Sequence, residues 1–442
     1  MSELDRDAAP RPAWWRSVGP GLITACVVFG PGSLLISSNV GATHGYLLLW
    51  LLVLTGFLMG TYVTTAARIG VVGGATPCTL IASRLGRPAA AIVGVNLCLI
   101  CTAFQFSNNL AVAAAFDTLG VAHLFGDPRL MSEQTRSLVN TGVLLAFNAA
   151  IITFVFSLRQ MYRVLERVMK VMVVVILVCF VVNLFVVRPN LFQVLAGMVP
   201  RWPESVPLRP PSRSAASIAD PMVLVASLLG TTFSVAGAFY QGNLVHEKSW
   251  TIREYRQGIG DSIAGVVVLT GVSAMIMITS ATVLFGKPAD DIGVLALQLR
   301  PLLGPAAHTL FCVGLLAVAM NPFVINAMIG GSILADGLGK PARLSDPWSR
   351  RLTVMVLLVG MAVAMIVLHT PVKKVDAIIF GQALTVIGNP LMAASILYLA
   401  NRRDVMHDKR NRLLLNVLGG LGFVVVLLMA LRVLYILILK FA

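Results

Sequence analysis

Long uninterrupted apolar runs alternate with short polar stretches along almost the whole chain. About eleven runs reach the roughly 20 residues that a helix needs to cross a bilayer, and they lack the period-two alternation of an outer-membrane barrel. They extend from Gly21 to Gly41, Leu47 to Ile69, Ala89 to Leu119 and Leu138 to Ser157. A fifth follows Tyr162-Arg163-Val164-Leu165-Glu166 and ends at Arg188-Pro189. The others run from Met222 to Val245, Gly260 to Phe285, Ala306 to Ala335, Leu352 to Leu368, Val375 to Ala400 and Leu413 to Leu439. The pattern predicts an all-α integral membrane protein.

Two runs carry signs of interruption. In the first, Gly30-Pro31-Gly32-Ser33 sits at mid-run, where proline removes a donor and clashes with the preceding turn while glycine lowers helix propensity. Unpaired backbone at that depth is tolerated only where protein or a water-filled cavity covers it, so the break points to a binding site; a simple proline kink is the alternative. In the sixth run, Gly230 and Gly237 flank Thr231-Thr232-Phe233-Ser234-Val235-Ala236, a weaker signal that leaves an intact helix open. The two stretches lie five spans apart. That spacing is the layout of an inverted-repeat secondary transporter, with its site between broken helices near the membrane midplane. The expected organisation is a polar tail over 1–18, a first five-helix repeat over 19–187 and a proline-rich outside loop over 188–220 without a strong fold of its own. A second repeat over 221–400 and a final loop and helix over 401–442 complete it.

Composition agrees with the pattern: 57% hydrophobic residues, 12% charged and a mean hydropathy of +0.86 exclude an ordinary soluble domain. The net charge of +15 does not call for a nucleic-acid partner, because the basic residues lie in loops between spans. About two thirds of the 34 Lys and Arg fall on one side if the N-terminus is cytoplasmic, which sets the expected orientation in a plasma (inner) membrane. No cleavable signal peptide is expected before the first span. The six cysteines read as small packing residues.

Polar groups at membrane depth form two stripes. Cys98, Thr102, Gln105 and Asn109 share a face of the third span, and Gln382, Thr385 and Asn389 share one in the tenth. Lone amides often simply join helices, yet three hydrogen-bonding groups in register are better placed to face a cavity. Asn321-Pro322 and Asn326 suggest another irregular turn in the eighth span. No carboxylate lies near the centre of any span, and His44, His123, His246, His308 and His369 fall near span ends, so dication dehydration and proton relay both lack their usual residues. There is no phosphate-cradling loop and no hydrolase constellation, so neither an ATP-driven pump nor an enzyme is expected, and no cofactor is called for.

Several short stretches together resemble the Nramp-type metal-ion transporters (the natural resistance-associated macrophage protein family), which have the LeuT-type fold. They are Gly19-Pro20-Gly21 and Gly30-Pro31-Gly32, then Gly41-Ala42 and Gly45-Tyr46 with Leu49-Trp50. Ala66-Ala67-Arg68-Ile69-Gly70-Val71-Val72, Tyr162-Arg163 with Leu165-Glu166, and Gly197-Met198-Val199-Pro200 complete them. The resemblance covers nearly the whole chain and implies interrupted first and sixth helices in two inverted five-helix repeats. It also implies where the chain departs. The family's first helix reads Asp-Pro-Gly-Asn, whose Asp and Asn bind the ion; Gly30 and Ser33 stand there. Its sixth-helix Met followed by Pro-His corresponds to Ser234, Val235 and Ala236, and a further His to Gln241. The acidic pair of its third helix gives way to apolar residues around Ala103 and Phe106. The tenth-helix glutamine is retained as Gln382.

Losing the thioether removes the bias toward transition metals, and losing the carboxylate removes the main charge that stabilises a stripped dication. The resemblance therefore implies a secondary transporter of a cation, foremost a divalent metal ion, with weak or no proton coupling. A transporter of a small, amino-acid-like organic solute and a non-transporting membrane sensor are the alternatives. Expected substrate-binding residues are Gly30, Ser33, Thr231, Ser234, Gly237 and Gln382; Gln105, Asn109, Gln241, Thr385 and Asn389 are candidates for a surrounding pathway. Expected partners are a small solute or metal cation and membrane lipid.

Overall fold

A computed structural model describes residues 29–121, 132–156, 159–209, 220–287 and 289–441, all helix and connecting turns. The helices are α1 (Pro31–His44), α2 (Leu49–Val72), α3 (Pro77–Leu85), α4 (Arg87–Thr118), α5 (Glu133–Phe156), α6 (Arg159–Val187) and α7 (Leu191–Gly197). They continue as α8 (Pro221–Thr232), α9 (Val235–Glu247), α10 (Ile252–Val283), α11 (Ala307–Gly337), α12 (Pro347–Leu368), α13 (Lys374–Asn401) and α14 (Leu413–Phe441). Among the described residues, nine spans are long and apolar enough to cross a membrane, or ten if α6 is counted with α7, bent from it by 119°. The part of the first span before Phe29 lies outside the described residues.

Local chemistry sets the boundaries. Pro31, Pro77 and Pro221 begin their helices in the first turn, where a missing N–H costs nothing. Thr76 and Asp220 accept from the backbone N–H of Thr79 and Met222, and Thr251 forms a capping box with Glu254. Gly86, at φ 87°, gives the turn between α3 and α4 a conformation that other residues rarely adopt.

Three expectations are corrected. Asn321-Pro322 does not interrupt its span: α11 runs through Pro322, the enclosed setting in which a proline's lost donor is tolerated. The loop over 188–220 carries a helix of its own, α7, whose N-terminus is capped by Asn190 accepting from Phe192 and Gln193. The first-helix interruption ends at Gly30, because Pro31, Gly32 and Ser33 are already helical.

The span formed by α8 and α9 is the centre of the bundle: 89% of its apolar stretch is buried, against 33% for α12 and for α14. Close approach around it depends on glycine. At Gly41 a methyl group would lie 3.0 Å from the backbone nitrogen of Ala281, so α1 and α10 touch backbone to backbone. Ser280 Oγ adds a 2.5 Å bond to Ser38 O, and Gln298 Nε2 reaches Ser38 Oγ at 2.8 Å. At one end of the bundle, buried Asp336 of α11 accepts from Thr76 and Thr79 at 2.9 and 3.1 Å and from Asn243 of α9 at 3.1 Å.

Candidate functional site

Gly30 is extended (φ −107°, ψ 171°), so a helix cannot run straight through it, and α1 starts at Pro31 with Gly30, which has no side chain to cap it, at its N-cap position. The first turn is buried, Ser33 included, and its positive end is held inside the protein. Five spans on, α8 stops at Thr232 and α9 begins at Val235. Phe233 (φ −101°, ψ 63°) and Ser234 (φ −76°, ψ 82°) form the gap, and Val235 N–H bonds Phe233 O at 3.0 Å across an inverse γ-turn. The interruption is narrower than the sequence suggests. Thr231 remains helical, its hydroxyl donating to Leu228 O at 3.1 Å, and Ser234 Oγ caps α9 by accepting from Gly237 N–H at 3.3 Å.

Helix α13 lies against both gaps. The Gln382 amide packs on Gly32 with its nitrogen end nearest: a methyl group there would meet Nε2 first, and would lie 2.6 Å from Cδ and 3.1 Å from Oε1. At Gly230 a methyl group would lie 2.5 Å from Gln382 O and 2.6 Å from Thr385 Oγ1. Thr385 Oγ1 donates back to Gln382 O at 2.6 Å. One turn on, Asn389 Nδ2 donates to Phe233 O at 3.4 Å, giving the gap carbonyl a partner. The Phe233 ring is fully buried edge-on to Tyr62, centroids 5.4 Å apart, and Tyr62 donates to Gly419 O at 2.7 Å. The gap is thus braced from α2 and α14.

The structure brings Gly30, Ser33, Thr231, Gln382, Thr385 and Asn389 to the two gaps, with Ser234 and Gly237 starting the helix beyond the second. Other candidates are engaged elsewhere. Asn109 bonds Gln105 O at 2.8 Å and receives Asn148 Nδ2 of α5 at 2.7 Å, while Gln105 packs on Gly360 of α12. Gln241 donates to Ser262 Oγ of α10 at 3.4 Å. Sequence reading missed Ser107, whose hydroxyl accepts from Gln382 Nε2 at 2.8 Å and donates to Ile378 O at 3.1 Å. It also missed Gly32 and Gly230 as the positions that admit α13; a glycine facing a polar stripe was the available signal.

Among the described residues, no three His, Cys, Asp or Glu side chains gather to hold a metal ion. A cluster of charged groups lies at a separate cavity of about 350 Å³, lined by Asp117, Arg136, Asp290, Asp291, Lys373 and Lys374 among others. There Lys374 and Arg136 bind Asp117 at 2.5 and 2.8 Å, and Lys373 binds Asp290 at 2.5 Å. The Lys373 bond holds the Asp290 carboxyl below the usual carboxylate range. Lys374 begins the helix that carries Gln382 eight residues later, so this mouth stands about 12 Å along α13 from the gaps.

A family model described as natural resistance-associated macrophage protein-like matches residues 21–436. The chain belongs to the Nramp family. Its similarity to curated Nramp relatives is distant but full-length. It is 26% identical over 417 residues to the divalent metal cation transporter MntH of Deinococcus radiodurans, covering 93% of this chain and 87% of that protein. With the MntH of Staphylococcus saprophyticus it shares 24% over 426 residues, 91% of this chain and 87% of that one. Among solved structures, a mutant manganese transporter of Eremococcus coleocola superposes with a TM-score of 0.69 at 20% identity, covering 96% and 87% of the two chains. MhsT in complex with L-phenylalanine superposes with a TM-score of 0.54 at 15% identity, covering 95% and 98% of the two chains. The Nramp chain therefore has the LeuT-type transporter fold that its paired interruptions indicate.

Proposed function

We propose that this Nramp chain is a secondary transporter of a cation, foremost a divalent metal ion. It works by alternating access across the plasma (inner) membrane, with the N-terminus cytoplasmic and weak or no proton coupling. The carrying observation is the polarity of the gaps. The two α13 amides at the gaps give their N–H groups to protein acceptors, Ser107 Oγ and Phe233 O, and their carbonyl oxygens, Gln382 Oε1 and Asn389 Oδ1, are buried without a partner among the described residues. An unpartnered buried acceptor costs about 1–3 kcal/mol, which a bound cation or its hydration shell offsets. The names of the Deinococcus and Staphylococcus relatives support a divalent cation. Neutral oxygens hold such an ion loosely, without the thioether that selects transition metals, so manganese, magnesium and calcium all become admissible.

Weak proton coupling follows from the same residues. Gly30, Ser33, Ser234 and Gln382 do not titrate in the physiological range, so binding a cation there releases no proton. Flux of manganese, magnesium and calcium into proteoliposomes tests the reading. Uptake of at least one dication that persists without a pH gradient is expected; no flux, and no displacement of one dication by another, would overturn it. A second reading draws on the start of α1, where Gly30 brings no capping side chain and the positive helix end suits a carboxylate and so an amino-acid-like solute. In that case the same liposomes take up a labelled amino acid and ignore dications.

A further inference from the structure

We propose that the loop between α13 and α14 and the exposed face of α14 together hold an anionic phospholipid, its phosphate on the loop and an acyl chain along the helix. The inference is independent of what the protein transports and requires only that α14 crosses the bilayer.

The loop over 402–412 is rich in cations and held in place by amides. Asn401 Nδ2 donates to Asn416 Oδ1 at 2.9 Å and Asn416 Nδ2 returns a bond to Asn401 Oδ1 at 2.7 Å, which clasps the end of α13 to the first turn of α14. Asn411 adds its Nδ2 to Asn416 Oδ1 at 3.0 Å and its backbone N–H to Ala400 O at 3.1 Å, and Arg68 of α2 donates to Asn411 Oδ1. Asn411 is thereby fixed, and its neighbours Arg410 and Arg412 stand exposed on either side of it. Other cations at this end of the bundle are engaged: Arg84 and Arg402 bind Asp404, and Arg87 donates to Asp336 O. Arg403, Lys409, Arg410 and Arg412 have no partner among the described residues, and the loop's one further carboxylate is Asp408. Unpaired positive charge at a membrane boundary attracts anionic lipid.

Apolar surface begins where the cations stop. Leu413, Leu414, Val417, Leu421 and Val424 of α14 are exposed, the last four following one another at steps of three and four along one helix face. From Leu414 to Val424 the helix rises about 15 Å, which is the depth of one leaflet of a roughly 30 Å hydrocarbon core. A lipid whose phosphate sits at Arg410 and Arg412 therefore has α14 beside its chain through the whole leaflet. A soluble phosphate compound makes the first contact without the second, so the surface fits a lipid. A basic residue beside an anionic leaflet contributes about fivefold in affinity, and Arg410 with Arg412 about thirtyfold.

Native mass spectrometry of the detergent-purified full chain at low ionic strength measures its association with dioleoylphosphatidylglycerol, which is anionic, and with dioleoylphosphatidylcholine, which has the same chains and no net charge. Wild type is compared with R410Q/R412Q and with K287Q/R300Q. The second pair removes two exposed cations from the opposite end of the bundle, where Lys373 at the start of α13 meets Asp290. All four side chains are exposed, so both variants should unfold at the wild-type temperature. Wild type should prefer the anionic lipid; that preference should fall about thirtyfold in R410Q/R412Q and change less than about twofold in K287Q/R300Q. Equal binding of the two lipids by wild type overturns the proposal, as does an R410Q/R412Q preference within about threefold of wild type or an equal loss in both variants. Displacement of the anionic lipid by soluble glycerol phosphate overturns it as well. None of these outcomes measures flux, so the dication reading stands or falls separately.

Discussion

Replacing Gly230 by Ala tests whether the close approach of α8 and α13 makes the site. A Cβ at Gly230 would sit 2.5 Å from Gln382 O, 2.6 Å from Thr385 Oγ1 and 3.2 Å from Val386 Cγ2. The first two atoms cannot simply swing away: one is backbone, and the other is tied to that backbone by a 2.6 Å bond. Relief requires the two helices to part by on the order of 1 Å, and overpacking of this kind costs about 1–3 kcal/mol. Alanine also gains up to about 1 kcal/mol of helix propensity over glycine, which partly offsets the loss. Gly60 isolates that gain, since a methyl group there has nothing within 4 Å. The difference in unfolding stability between G230A and G60A should thus be about 1–3 kcal/mol, measured by thermal or denaturant unfolding in detergent. Uptake of manganese by G230A should fall at least roughly tenfold, because a shift of about 1 Å separates Gln382 from Gly32 and Asn389 from Phe233 O. If G230A is as stable and as active as G60A, α8 and α13 do not form the site through this contact.

Asp336→Ala should destabilise the fold by at least about 2 kcal/mol in the same unfolding assay, since it orphans the donors of Thr76, Thr79 and Asn243 together and frees α9 from α3 and α11. The Asp404 carboxyl is pulled down to about 2, first by its hydrogen bond from Arg402, with the Arg84 charge adding to it. Its contribution to stability is therefore full above the ordinary carboxylate value and lost as pH falls toward about 2, so the stability gap between wild type and D404N should be constant from neutral pH to about pH 5 and close below pH 4.

Much of the architecture was legible because its signals are strong. Apolar runs of spanning length mark the helices, and a proline between two glycines marks the first gap at the residue where α1 begins. The second gap was harder to read because no proline makes it. It depends on Phe233 being buried against Tyr62 and on the Asn389 donor, both tertiary facts. Pro322 misled in the opposite sense, since an enclosed helix carries a proline without breaking. The tenth-span stripe indicated residues that meet the gaps, whereas the third-span stripe of Gln105 and Asn109 meets α5 and α12. Ser107 was hidden because it lies two residues, about 200°, away from that stripe. Its contact with Gln382 depends on how closely Gly381 lets α4 approach, which periodicity does not encode.

The central claim is that a site built from neutral oxygens between two helix gaps moves a dication without moving protons. Simultaneous recording of manganese entry and internal pH in proteoliposomes, under an imposed membrane potential, tests it most directly. A dication crossing alone carries two charges and feels about 4.6 kcal/mol per 100 mV. Uptake should therefore rise steeply with an inside-negative potential while internal pH stays flat. Proton entry in fixed proportion to manganese, or entry that ignores the potential, would contradict the account.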